Sequence, residues 1–228
     1  MPVTAITGPM KCGKSEEGRE RVKRYSISKK RILVFFLEDC ERNQRNLEDM
    51  LKVLGVTGSI QIETVNSSEE MARIAGESDP DVILIEEAHF IGTDRKKDAA
   101  PKDSFINYSE EEKTEIRSFL LFLEEFGCRR KKAVFVIGLD TDFLHEPFGV
   151  MPFVLAIADV VVKLAAVCDR CREIDIATRS QRVDARGRPE SRNSPRVEVG
   201  SEKYPVVCLN CWQPPENGDE KLVQPGSA

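Results

Sequence analysis

The chain has 228 residues, 40% of them hydrophobic and 32% charged, with a formal net charge of -5 and a pI near 5.4. That length supports one good core plus a small appendage. The acidic balance argues against general binding to nucleic acid or anionic lipid, since either needs a basic surface. The longest apolar runs, such as Ala133 to Leu139, have the length of a strand and fall far short of a bilayer span. The glycine loop follows within seven residues of Met1, which leaves no room for a signal peptide and makes a cytoplasmic location the expectation.

In chain order, Val3 to Thr7 is β-rich and runs straight into "GPMKCGKS". A charged, helix-prone segment interrupted only by Gly18 follows Lys14. Arg31 to Asp39 is a continuous apolar run ending in acids, the pattern of a strand covered on both faces. "SSEEMARIAGES" reads as a short helix with Ser68 as its N-cap. Asp81 to Phe90 is a second buried strand with acids at its carboxyl end, and "KAVFVIGLD" is a third. Between them, Ile116, Phe119, Leu120 and Leu123 share one helical face. Alternating strands and helices predict an α/β fold, a mostly parallel sheet with its ligands at the carboxyl ends of the strands. The predicted organisation is a main α/β domain over 1–159, carrying a long charged insertion at 92–110. A small metal-binding domain over 160–212 and a disordered Pro- and Gly-rich tail over 213–228 complete it.

Three constellations carry chemistry. Gly8, Pro9, Met10, Lys11, Cys12, Gly13, Lys14 and Ser15 fit G-x-x-x-x-G-K-[ST] between a strand and a helix, the context of a phosphate-binding loop. Its backbone amides surround phosphate oxygens, Lys14 brings charge toward the β- and γ-phosphates, and the Ser15 hydroxyl suits Mg²⁺. Side chains are expected to be excluded at both glycines. Glu86 and Glu87 end a buried strand, where a phosphate-loop enzyme keeps an acid that reaches Mg²⁺. Successive strand residues face opposite ways, so only one of the two is expected to serve a given role unless the strand is ending there, and a solvated strand terminus is the alternative reading. Cys168, Cys171, Cys208 and Cys211 form two C-x-x-C pairs, suited to a closed, structural, tetrahedral Zn²⁺ site. Cys12, Cys40 and Cys128 stand alone. His89 and His145 show no catalytic pattern, and the arginines of "RSQRVDARGRPESRNSPR" read as a solvated loop.

The succession "GPMKCGKS", "DVILIEEAHF", "GLDTDFLHEPFG", "ADVVVKLAAVCDRC" and "EKYPVVCLNCW" resembles the type II thymidine kinase family over about Val3 to Trp212. The resemblance implies a phosphate-loop NTPase-like α/β domain and a zinc-bearing domain whose loop closes over the nucleoside. It also implies transfer of the γ-phosphate of ATP to the 5′-hydroxyl of thymidine, with Mg²⁺ and structural Zn²⁺ as cofactors and a homotetrameric assembly. On this resemblance Glu87 is the catalytic glutamate and Glu86 falls on the metal-associated acid. Met10, Phe90, Phe143, Phe148, Val199, Gly200 and Tyr204 fall on the nucleoside site. The family usually has Asp at Glu86, Gln at His89, and Phe or a small residue at Lys11. Its I-G-G is one glycine shorter here, and its D-x-R is off by one at Asp39 and Arg42. A kinase with altered pyrimidine specificity, or a nucleotide-binding relative without turnover, stays open on these departures.

Overall fold

The computed structural model describes residues 2–37, 59–93, 108–198 and 200–215. Val199, Cys40, Asp39, Arg42, most of the 92–110 insertion and most of the 213–228 tail lie outside the described residues. The α/β expectation is what the structure has. Strands β1 (Val3–Thr7), β2 (Ile32–Leu37), β3 (Ile60–Val65), β4 (Val82–Ile85), β5 (Ala133–Gly138) and β6 (Val160–Lys163) form one sheet in the order β3-β2-β4-β5-β1-β6. Every neighbouring pair is parallel.

The period-2 geometry of a strand turns one apolar run into two cores. Leu33, Phe35 and Leu37 of β2 enter the core on one face together with Ile83, Ile85, Val134 and Val136. Ile32, Val34 and Phe36 enter the other with Val82, Leu84, Phe135 and Ile137. Helix α1 (Lys14–Ile27) covers the second face through Val22. It settles closely because Gly18 has no Cβ: one built there would lie 2.3 Å from Ile137 Cδ1. This close approach explains a glycine inside a helix, where it otherwise costs about 1 kcal/mol relative to Ala. Helices α2 (Ser68–Ser78), α3 (Glu110–Leu123) and α4 (Met151–Ile157) cover the first face through Met71, Ile74, Ile116, Phe119, Leu123, Met151 and Val154. Leu120, expected on the same stripe, packs at its margin and is partly buried.

The N-cap of α2 is Ser67, whose side chain accepts from the Glu70 amide, and not Ser68. Ser68 is instead tied to α3, its amide and hydroxyl both donating to Glu115 Oε1 at 2.7 and 2.6 Å. Helix α3 starts on a reciprocal cap, with Ser109 and Glu112 each bonding the other's amide, and runs on into a π-helical turn over Glu124–Arg129. Val160–Lys163, assigned from the sequence to the second unit, pairs with β1 as the sixth strand of the main sheet. Beyond it the chain forms a small β unit in which β7 (Arg179–Ser180) pairs antiparallel with β8 (Val206–Val207).

Candidate active site

Between β1 and α1, residues 8–13 arch over the carboxyl end of the sheet. Gly8 takes φ +142° with its Cα side against a backbone carbonyl; a Cβ there would meet Leu164 O at 2.4 Å. Gly13, at φ +84°, has only Glu16 Oε2 near its Cβ direction, at 3.9 Å. Side-chain exclusion therefore holds for Gly8, whereas Gly13 is required by its left-handed backbone and not by crowding. Gly13 is also the N-cap of α1 and makes no side-chain cap, so the first amides of the helix are left for an anion. Lys14 Nζ donates to the Pro9 carbonyl at 2.6 Å and lies 3.8 Å from Cys12 Sγ, folded back over its own loop. Burial is the main influence on Cys12 and raises its thiol pKa.

The helix start and the acidic strand end meet across the tip of β5. Ser15 Oγ donates to Glu86 Oε2 at 3.1 Å, linking α1 to the residue after β4. Glu86 is 2% exposed. Burial first, and then the charge of Glu87, push its carboxyl up from 4.5 to about 7. The strand ends at Ile85, and Glu87 turns into the left-handed region at φ 56°, ψ 35° to start a 3₁₀ turn over Ala88–Phe90. Strand alternation thus stops applying before the second acid, and the two carboxylates repel each other instead of pointing apart. Glu87 keeps 21% of its side chain exposed, with Oε2 at 3.5 Å from His89 Nδ1.

His89 belongs to this site more closely than its lone position in the sequence suggests. It is 1% exposed, its Nδ1 accepts from the Leu139 amide at 3.2 Å, and its ring lies 4.2 Å from Phe90 and 4.8 Å from Phe148. Phe90 and Phe148 meet edge-on at 5.9 Å. Alongside, Phe143, Leu144 and Tyr204 cluster with Met10 packed against them. The structure therefore brings Met10, Phe143 and Tyr204 together, and Phe90 with Phe148. Gly200 stands at φ +130° four residues before Tyr204, whose hydroxyl donates to the Glu198 carbonyl at 3.0 Å.

The reading of the arginines as a solvated loop holds for Arg186, Arg188 and Arg192, which are exposed, and is corrected for Arg182 and Arg196. Arg182 is 1% exposed and lies 3.7 Å over the Phe143 ring. Arg196 Nε donates to Asp142 Oδ2 at 2.7 Å, and Arg192 pairs with Glu146. Ser180 was also missed; its Oγ accepts from the Met10 amide at 2.8 Å and holds the glycine loop from the second unit. Their partners lie far off in sequence, so local composition carried no signal for them.

The second unit presents four cysteines as one cluster. One sulfur from each of Cys168, Cys171, Cys208 and Cys211 lies within 4.8 Å of the others. Cys168 is drawn down to about 6, against the opposing effect of its burial, by the amides of Cys171, Cys208 and Arg170. Cys211 is pushed up to about 12, chiefly by its hydrogen bond with Cys208. Four sulfurs from two C-x-x-C knuckles, each within 4.8 Å of the others, are the donor set of a closed tetrahedral zinc site, which fits these residues. Cys12 and Met10 of the glycine loop pack against this unit, and Lys11 Nζ stands 3.7 Å from Asp169.

The raised acid of Glu86 gives a pH dependence with a definite sign. Its proton is held more tightly folded than unfolded, so its contribution to stability is fully present below about pH 4.5 and is lost as pH rises through about 7. Urea midpoints of nucleotide-free protein and of Glu86→Gln should therefore diverge between pH 4.5 and 7.5, with the variant becoming relatively more stable. A difference that stays flat over that range would contradict the buried, charge-crowded carboxylate.

Among the described residues no helix is long and apolar enough to cross a membrane. A family model described as thymidine kinase matches residues 1–103 and 119–212, most of the chain. The break falls across the end of the charged insertion and the start of α3.

Proposed function

The chain belongs to the thymidine kinase family, and from that premise we propose that it transfers the γ-phosphate of ATP to the 5′-hydroxyl of thymidine, giving dTMP. Membership makes it an enzyme of the thymidine kinase type; the substrate and the residue roles are this reading's own. The observation that carries it is the Ser15–Glu86 contact at 3.1 Å, with Glu87 one residue further on and partly exposed.

In this reading the amides from Gly8 to Lys14 hold the ATP phosphates, and Lys14 leaves the Pro9 carbonyl to reach the β- and γ-oxygens. Ser15 and Glu86 would hold Mg²⁺, since a hydroxyl and a buried carboxylate already in contact form a hard oxygen pair. When bound, the ion neutralises charge on the transferring phosphoryl group. Glu87 accepts the hydrogen bond of the 5′-hydroxyl and directs its oxygen at phosphorus. With a loose transition state, the orientation of the hydroxyl matters more than the basicity of the group that accepts its hydrogen bond. Phe90, Phe143, Phe148, Met10 and Tyr204 enclose the nucleoside, and Val199 and Gly200 read the base edge through the backbone. A Cys₄ zinc leaves no open ligand position and acts as a structural tie.

Location in the cytoplasm and a homotetramer complete the proposal. Val160 and Val161 on β6 and Ile157 at the end of α4 are exposed apolar residues at the sheet edge, a surface that assembly would bury. The decisive experiment incubates purified protein with Mg²⁺–ATP and a panel of deoxynucleosides, scoring monophosphate. Thymidine and deoxyuridine should both react, because one methyl is worth only about 1–3 kcal/mol of discrimination. A flat panel with ATP still bound would instead favour a nucleotide-binding protein without turnover.

A further inference from the structure

Thr93 and Tyr108, near the two ends of the charged insertion, both bond to backbone that carries nucleoside-site aromatics. Thr93 Oγ1 donates to the His89 carbonyl at 3.0 Å, in the 3₁₀ turn that leads to Phe90. The Tyr108 hydroxyl donates to the Gly149 carbonyl at 3.1 Å, next to Phe148. The two anchors converge. Gly149 stands at φ +52°, and a Cβ built on it would run into the carbonyl oxygens of His89 and Ile91. The backbone just after Phe148 therefore lies directly on the turn that starts at Glu87, an approach only glycine allows. The Gly149 carbonyl also stands outside the ladder of α4, because the Phe153 amide, four residues on, bonds Val150 instead at 3.1 Å. Such an acceptor needs a partner from elsewhere, and Tyr108 is placed to supply it. The reciprocal Ser109–Glu112 cap fixes the chain at the next residue. The Tyr108 ring packs on the first-face core and lies 6.0 Å from the Phe153 ring. Burial raises its phenol pKa, against the opposing charge of Arg196, so the hydroxyl remains a donor at neutral pH.

We propose that Tyr108 is a positioning residue of the nucleoside site: its hydroxyl pins the Gly149 carbonyl and so holds Phe148 against Phe90 and His89. The inference rests on the kinase reading above and gives the insertion's second end a task in it. Phe90 and Phe148 meet edge-on at 5.9 Å across this seam, and rings that enclose a base act only at a fixed spacing. The Phe148 amide is held on its other side by the Asp140 carbonyl at 3.2 Å, so the Gly149 carbonyl is the point from which Tyr108 sets the ring. Without the hydroxyl that carbonyl loses its donor, and the turn after Phe148 is released from the turn that carries Phe90. ATP is held by the glycine loop in this reading, so the effect falls on the nucleoside.

The test compares full-length Tyr108→Phe, which keeps the ring and removes the hydroxyl, with Tyr108→Leu, which also removes the ring contact with Phe153. Kinetic constants for thymidine and ATP are measured, together with melting temperature and amide exchange at residues 148–151 in nucleotide-free protein. In Tyr108→Phe the thymidine KM should rise ~5-fold while kcat and the ATP KM stay within about twofold, the split expected when nucleoside binding alone suffers. Exchange at 148–151 should quicken ~5-fold, with a fall in melting temperature of no more than about 4 °C. Tyr108→Leu should reproduce the thymidine effect and melt lower still, because it also loses packing. A normal thymidine KM in Tyr108→Phe with a raised one in Tyr108→Leu would reduce Tyr108 to packing and overturn the inference. Equal rises in both KM values, or unchanged exchange, would overturn it too. If wild-type protein phosphorylates no nucleoside, the kinase reading fails by itself, and exchange alone then decides whether Tyr108 holds the Phe148 turn.

Discussion

Glu87→Gln should lower kcat for thymidine at least ~10²-fold, about 2.7 kcal/mol of barrier, while ATP affinity changes little. Glutamine keeps the size of the side chain and removes the charge. ATP is held in this reading by backbone amides, Lys14 and Ser15, none of which touches Glu87 in the described contacts. A stability readout gives the experiment a second edge. Glu86 is pushed up to about 7 by burial first and the charge of Glu87 second, so neutralising Glu87 removes one of the two unfavourable influences. The variant should therefore be no less stable than wild type at neutral pH, and the Glu86 carboxyl should titrate lower. A crippled enzyme with an undamaged fold is the expected mark of a charge kept for chemistry at a cost in stability. Near-normal turnover would remove Glu87 from the catalytic role. A destabilised variant would reassign it to the scaffold, where its left-handed backbone at φ 56° already places it under strain.

The elements readable from the sequence were those whose signal is local. Val3–Thr7, Ile32–Leu37 and Ala133–Gly138 are buried along their whole length, so each appears as an unbroken apolar run. The knuckles at Cys168 and Cys208 are equally local, because two ligands three residues apart define a turn. Ile60–Val65 sits at the sheet's edge and is only partly buried, which leaves too weak a pattern to mark it as a strand. Ser67 and Ser68 are chemically identical as caps; what separates them is Glu115, 47 residues away, which takes Ser68. Arg182 and Arg196 were misread for the same reason. Arg196 looks solvated beside Ser194 and Pro195 until Asp142, 54 positions distant, is brought against it. For Glu86 and Glu87 the exception to alternation applies: the strand ends at Ile85, before both acids, and where a strand stops is set by the turn that follows, which the sequence pattern does not mark.

Losing the zinc cluster should damage more than the small unit that carries it. The two units share a seam: the Met10 amide donates to Ser180 Oγ, Lys11 faces Asp169, Gly8 abuts the Leu164 carbonyl, and Met10 and Cys12 pack on the cysteine-bearing core. Asp169 itself sits between two of the cysteines in sequence and accepts from the Val206 amide at 2.8 Å, so a loosened knuckle releases its hold on Lys11. Cys208→Ser should abolish stoichiometric zinc in freshly purified protein. It should lower the melting temperature by about 10 °C, corresponding to roughly 3–5 kcal/mol at the 2–4 °C per kcal/mol of a chain this size. Mg²⁺–ATP binding should weaken as well, and nucleotide should in turn slow zinc extraction by a chelator, because coupling between two sites is reciprocal. The main sheet has its own two-faced core and should keep its secondary structure. Zinc loss with unaltered nucleotide affinity would show that the seam transmits nothing, and a wild-type preparation without metal would remove the structural zinc altogether.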